Sequence, residues 1–205
     1  MKIDKITPEL RQARISLLNT LTNKMERLNF LEKVDSFENK VLDIYSKNPY
    51  PSGTMSNFRR CSFEIDGIEC ASIEGVLQSL KVLIPPKTQD PQLWQDRMDL
   101  QKKVCGYANN KAKRMGKFLN LFNQHLQMNW QGHIMNRMSK EYQNFLKRVF
   151  EARYLADQDF RNAIQDTKDF VLTHSIGKHN KAETCLTEEE FIGMLSHLKT
   201  KFKVK

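Results

Sequence analysis

The sequence predicts an α+β fold: one mainly helical domain with a small sheet and a hairpin, preceded by an N-terminal helical extension. Three observations point there. Apolar residues recur every three or four positions in several long stretches, the mark of amphipathic helices. A tight-turn pair, Asp66-Gly67, joins two short alternating runs. The 205 residues hold only 8 Gly and 6 Pro with 40% hydrophobic and 28% charged side chains, an ordinary globular composition in a chain long enough to bury a substantial core. The extension is placed at residues 1–40 and the domain at 41–205.

The elements follow in order. Leu10, Ile15, Leu17, Leu18, Leu21, Met25, Leu28 and Leu31 predict one helix from about Pro8 to Leu31, with Pro8 at a first-turn position and the helix packed on the core, the default, or on a partner. Val41 to Tyr45 reads as a short buried strand, and Pro49, Pro51 and Gly53 force an irregular loop after it. Cys61–Ile65 and Ile68–Cys70 form the hairpin. Ser72 caps the next helix and puts Glu74 in its first turn, with an apolar face running through Val76, Leu77, Leu80 and Leu83 until Pro85-Pro86. Asp90-Pro91 opens a helix that Gly106 closes, and a basic helix follows from about Tyr107 to Met115. Asn120 to Arg137 carries no clear period. Ser139 starts a strong helix with Tyr142, Phe145, Leu146, Val149 and Phe150, and Asp157 to Ile164 continues as a shorter one. Asp169–His174 reads as a buried strand. Thr187 and Glu190 make a capping box for a last helix with Phe191, Met194, Leu195 and Leu198.

The net charge of +9 draws polyanions at long range. Its distribution is uneven: Lys102, Lys103, Lys111, Lys113, Arg114 and Lys117 fall between Leu100 and Lys117 with no acid among them, and Lys199, Lys201, Lys203 and Lys205 mark the C-terminus. The four cysteines, Cys61, Cys70, Cys105 and Cys185, are widely spaced, which favours reduced thiols in a cytoplasmic protein; Cys61 and Cys70 flank the hairpin and could face each other. No apolar run has the length of a membrane span. A dinucleotide fingerprint, P-loop, zinc-protease motif or zinc-ligand spacing is absent, so neither a cofactor nor a metal is expected.

Chemistry gathers in one stretch. Ile44-Tyr45-Ser46-Lys47 leads into Asn48-Pro49-Tyr50-Pro51-Ser52-Gly53-Thr54-Met55-Ser56-Asn57-Phe58; then come Phe63-Glu64-Ile65-Asp66-Gly67 and Ala71-Ser72-Ile73-Glu74-Gly75-Val76-Leu77-Gln78-Ser79-Leu80-Lys81. These strings resemble, in the same order, the motifs of NADAR domains. Ala112-Lys113 with Gly116, Trp130-Gln131-Gly132 followed by Arg137, Ser139, Glu141 and Tyr142, and the run Leu172-Thr173-His174-Ser175-Ile176-Gly177-Lys178 are similar to later parts of that family, so the resemblance spans about Asp43 to Leu198. It implies that residues 41–205 are an N-glycosidase domain acting on ADP-ribose attached to guanine in nucleic acid, the reversal of toxins of the DarT type, and for a phage copy an antidote working in the host cytoplasm. Gly75-Val76 stands where the branch tied to riboflavin biosynthesis has an aromatic pair, so that substrate is not implied.

The residues suit such a reaction. Cleaving an N-glycoside needs proton transfer at the leaving base or sugar and a carboxylate beside the anomeric carbon, and Glu74 fits both roles or else merely favours its helix dipole. A lysine can exchange with a ring-opened sugar imine; Lys47 is the candidate, either covalently or as a phosphate ligand, with Lys81 as its competitor. Ser56 and Asn57 offer groups to orient the ribose, and Phe58 adjoins them. Trp130 serves either as a stacking platform or as core. Lys113, Arg137 and Lys178 are candidates for pyrophosphate or nucleic-acid backbone. His174 meets either the substrate or the backbone. Two other readings stay open: a non-catalytic module that binds ADP-ribose or nucleic acid, and an N-glycosidase acting on a small nucleotide-like metabolite.

Overall fold

The computed structural model describes residues 8–34, 40–120 and 126–202. In chain order these form α1 (Pro8–Lys33), β1 (Val41–Asp43), α2 (Ser52–Met55), β2 (Phe63–Ile65), β3 (Ile68–Cys70), α3 (Ile73–Ser79), α4 (Pro91–Cys105), α5 (Asn109–Leu119), β4 (Gln127–Trp130), β5 (His133–Asn136), α6 (Lys140–Ala156), α7 (Gln158–Asp166), β6 (Val171–Thr173) and α8 (Glu188–Lys201). The fold is α+β and mainly helical. The expectations for Lys203, Lys205 and the side chain of Leu10 lie outside the described residues.

Instead of one small sheet there are three separate strand pairs among the described residues. β1 and β6 run parallel, with Val41 opposite Val171. β2 and β3 form the expected hairpin, where Asp66 and Gly67 both take the left-handed backbone of a tight turn. The stretch with no clear period holds a second hairpin, β4–β5, turned by Gln131 and Gly132 in the same left-handed region. Its strands carry few β-branched residues, so the sequence pattern hid them.

The main core joins Ile44, Met55, Ile73, Leu77, Leu146, Phe150, Phe160, Phe191 and Leu195, which ties β1, α2, α3, α6, α7 and α8 together. Caps hold the helices in register: Ser72 accepts from the Gly75 amide at 2.8 Å, Asp90 from Leu93 at 2.8 Å, Ser139 from Tyr142 at 3.1 Å and Asp157 from Phe160 at 3.1 Å. The Pro49–Gly53 segment closes into the single turn of α2. A Cβ on Gly53 would stand 2.1 Å from the Asn48 carbonyl oxygen, so this turn admits only glycine.

Two expectations need correction. α3 stops at Ser79 rather than running to Pro85, because the Leu80 carbonyl accepts from the Asn129 amide of β4 at 2.8 Å and the Ser79 carbonyl from the buried Gln101 amide at 3.1 Å. Cross-chain bonds replace the next helical turn. α1 has the predicted extent but the opposite orientation. Its polar side faces the domain: Asn23 donates to Asp159 at 2.6 Å, Arg27 pairs with Asp166 at 2.7 Å, and Glu26 accepts from the Tyr50 amide at 3.2 Å. Phe30 is its buried apolar anchor. Leu17, Leu18, Leu21, Met25 and Leu28 point outward, with Leu18 62% exposed.

α8 starts with the capping box read from the sequence, Thr187 Oγ1 accepting from the Glu190 amide at 3.2 Å while Glu190 accepts from the Thr187 amide at 2.9 Å. Glu190 also accepts two bonds from the fully buried Arg137 guanidinium, at 2.9 and 2.5 Å. Burial pushes the Glu190 carboxyl up, but the Arg137 and Thr187 bonds prevail and hold it at about 2. A carboxyl below its unfolded value of about 4.3 contributes stability that is complete at neutral pH and lost as pH falls from about 4 towards about 2. Arg137→Ala leaves this carboxylate buried without its partner, and urea unfolding at neutral pH should show a loss of about 3–5 kcal/mol.

Candidate active site

α3 and the 56–58 segment meet at Glu74 through two bonds. The Glu74 amide donates to the Asn57 carbonyl at 2.9 Å, and the Asn57 side-chain amide donates back to Glu74 Oε2 at 3.0 Å. Gln78, one turn along the helix, donates to Oε1 at 2.8 Å. Each carboxylate oxygen therefore has an amide partner, and the group is buried. Burial raises the Glu74 carboxyl above its ordinary range, against the Gln78 bond and the charges of Lys81 and Lys113, which lower it. A carboxyl so placed can hold a proton at higher pH than a surface glutamate and deliver it to a leaving group.

Close approach of the backbone makes this possible. A Cβ on Gly75 would lie 2.4 Å from the Tyr107 carbonyl oxygen and 2.7 Å from that of Cys105, and one on Gly116 would strike the Gln78 side chain. Glycine at both positions lets α3 settle against the α4–α5 corner, while Ser72 Oγ donates to the Tyr107 carbonyl at 2.9 Å. On the other side, the fully buried Arg153 of α6 donates to the carbonyls of Ser56 and Thr54, both at 2.8 Å, and lies over the Phe160 ring at 4.1 Å. This arginine fixes the loop that presents Asn57. The sequence reading missed it, since an arginine inside an amphipathic helix resembles any other surface cation.

The predicted residues separate into groups. Lys81 is buried, and its charge acts on both Glu74 and the Cys185 thiol, so Glu74, Asn57, Gln78 and Lys81 are brought together. Lys113 is exposed on α5 and its charge also reaches Glu74. Ser56 is buried and accepts from the Phe58 amide at 3.2 Å; Phe58 is half-buried. Lys47 stands exposed in the turn after β1, with no hydrogen bond or ion pair among the described residues. Its neighbours Ser46 and Asn48 line a cavity of about 730 Å³ together with Gly53, Arg59, Arg60 and Asn109. Across it lie Asn19, Asn23 and Glu26, so the polar side of α1 forms one wall.

Other candidates are structural. Trp130 is not a free stacking platform: it is buried, its indole N–H donates to Asp66 Oδ2 at 2.8 Å, and its ring packs on Phe145 at 5.1 Å. It ties one hairpin turn to the other, helped by Gln131, which donates to the Asp66 carbonyl at 2.8 Å. Arg137 is engaged by Glu190 and the Thr184 carbonyl and does not reach the surface. Half-buried His174 contacts the Ile44 carbonyl through Nδ1 at 2.7 Å and meets the Phe191 ring edge-on, and exposed Lys178 pairs with Glu183 at 3.4 Å. Cys70 has the Cys105 thiol as its neighbour; that thiol and burial push Cys70 up, with a smaller contribution from Cys61. No helix among the described residues is long and apolar enough to cross a membrane.

The family profile described as "Bacteriophage protein GP30.3" matches residues 49–200. An "Uncharacterized 17.1 kDa protein in Gp30-rIII intergenic region" of Enterobacteria phage T4 is 29% identical over 159 residues, covering 77% of this chain and 96% of the relative. No solved structure matches. The residues that the family profile matches hold Glu74, Asn57, Gln78, Lys81 and Arg153, and exclude α1.

The site has a measurable consequence for stability. The folded Glu74 carboxyl binds its proton more tightly than the unfolded one, so its contribution falls as pH rises from about 4.3 through the raised value and stays low above it. Glu74→Gln, which keeps the shape without the charge, should be as stable as the parent at neutral pH or more so, and urea midpoints across pH should lose this decline. Gly75→Ala, which drives a methyl into two carbonyl oxygens, should cost about 1–3 kcal/mol by the same measurement.

Proposed function

The chain belongs to the bacteriophage GP30.3 family, and from that premise we propose that it is an N-glycosidase that removes ADP-ribose from guanine in nucleic acid. The observation that carries this reading is Glu74: a buried carboxyl with a raised pKa, gripped by two side-chain amides and set near a buried lysine. The resemblance of the 45–58, 63–67 and 71–81 strings to NADAR domains supplies the substrate class. The exposed cations of α4 and α5, from Lys102 to Lys117, support a polyanionic substrate, and Lys113 links that surface to Glu74.

In the proposed reaction Glu74 gives its proton as the bond between the ribose anomeric carbon and the guanine amine breaks. Asn57 and Gln78 keep the carboxyl aimed and stabilise the anion that forms. A lysine takes the covalent role, Lys47 or its competitor Lys81: its amine adds to the imine carbon of the opened sugar, guanine departs with the proton from Glu74, and water then hydrolyses the lysine imine to release ADP-ribose and the free amine. The kinship with a protein of phage T4 supports placing this activity in a host cytoplasm, as an antidote to toxins that modify guanine.

An oligonucleotide carrying guanine-linked ADP-ribose tests the reading directly. The parent should release ADP-ribose, and Glu74→Gln should lower the rate by about 10²–10⁴-fold without unfolding. Binding without release would point instead to a reader of the modification. Borohydride added during turnover should fix ADP-ribose on the protein; an adduct that survives Lys47→Ala but not Lys81→Ala would move the covalent role to Lys81.

A further inference from the structure

The outward face of α1 carries more than its exposure. A helix on a protein surface normally turns its apolar stripe inward. Here Asn23, Glu26 and Arg27 face the domain, and Leu17, Leu18, Leu21, Met25 and Leu28 face away, each about half exposed or more. The stripe leaves on the order of 500 Å² of contiguous apolar surface, the size at which a patch marks an interaction site.

The stripe is also complementary to itself. Leu18, Leu21, Met25 and Leu28 follow alternate steps of three and four residues, the spacing of a helix-pair seam. Reversed end to end about the point midway between Leu21 and Met25, the same helix sets Leu21 opposite Met25 and Leu18 opposite Leu28. That reversal also sets Arg14 opposite Glu32. The two charges lie about five turns apart on the seam side of the helix, are exposed, and have no ion-pair partner among the described residues. One two-fold axis thus satisfies the apolar contacts and both charge pairs.

We propose that α1 is a homodimerisation helix: two copies of this chain associate through an antiparallel α1 pair, with Arg14 of each copy facing Glu32 of the other. The pair buries about 1,000 Å² in total, the lower bound of a specific interface, so the dimer is a reversible one. The matched family segment begins at residue 49, so this interface lies outside the part of the chain that the family profile covers.

Sedimentation equilibrium of the full chain tests this over micromolar concentrations at low salt. A concentration-dependent dimer is expected, and Leu21→Glu, which puts a carboxylate into the seam twice, should raise its dissociation constant by about 100-fold or more. Arg14→Glu should weaken it by about tenfold, and adding Glu32→Arg should restore it, an outcome that only the antiparallel register produces. These exposed substitutions should leave the urea midpoint of the domain unchanged. A monomer at every concentration, a dimer indifferent to Leu21→Glu, or charge reversals that fail to compensate would each overturn the proposal. Flotation of a monomeric chain with phosphatidylglycerol vesicles would overturn it in favour of a lipid surface.

Discussion

The two-point link between Asn57 and Glu74 is the constraint on which the rest of the site depends. It joins segments separated by the whole β2–β3 hairpin, and it works only if both backbones are held. Arg153 holds one side by binding the Thr54 and Ser56 carbonyls from inside α6. Gly75, Gly116 and Ser72 hold the other by letting α3 settle against the α4–α5 corner. Burial raises the proton affinity of the Glu74 carboxyl, and the nearby lysine charges limit that rise.

Buried polar groups elsewhere serve the same end. Gln101 donates to the Ser79 and Asn129 carbonyls and accepts from the Gln131 amide, which fixes the exit of α3 against the β4–β5 turn. Arg137 and Glu190 tie β5 to the start of α8, with the guanidinium lying over the Tyr142 ring at 4.8 Å. Each group is paired, as burial in low dielectric requires. Such pairs cost more to break than they contribute relative to apolar packing, so they specify one arrangement of the elements.

α1 stands in a different relation to the domain. Its polar side closes one wall of the cavity beside the 46–62 segment, yet its apolar side is turned to solvent. Periodicity located this helix within a few residues, because spacing alone reveals an amphipathic helix. It gave the wrong side to the core, because periodicity is silent about which neighbours each face meets.

The same division runs through the whole chain. The sequence by itself determined the helices other than α2, the caps at Ser72, Asp90, Ser139 and Asp157, the Asp66-Gly67 hairpin, the Thr187–Glu190 capping box and the place of Glu74 in a first turn. These are local, set by residue spacing and by side chains bonding amides a few positions away. Only the tertiary structure decided that Lys81 shares Glu74's buried surroundings while Lys47 stands in an exposed turn, that Trp130 and Arg137 are structural, and that α3 ends at Ser79. Each of those outcomes depends on a partner tens of residues away: Asp66 for Trp130, Glu190 for Arg137, Asn129 for the end of α3. A hydrogen bond or a desolvated charge is settled by what the folded chain brings within reach, and no local pattern encodes that distance.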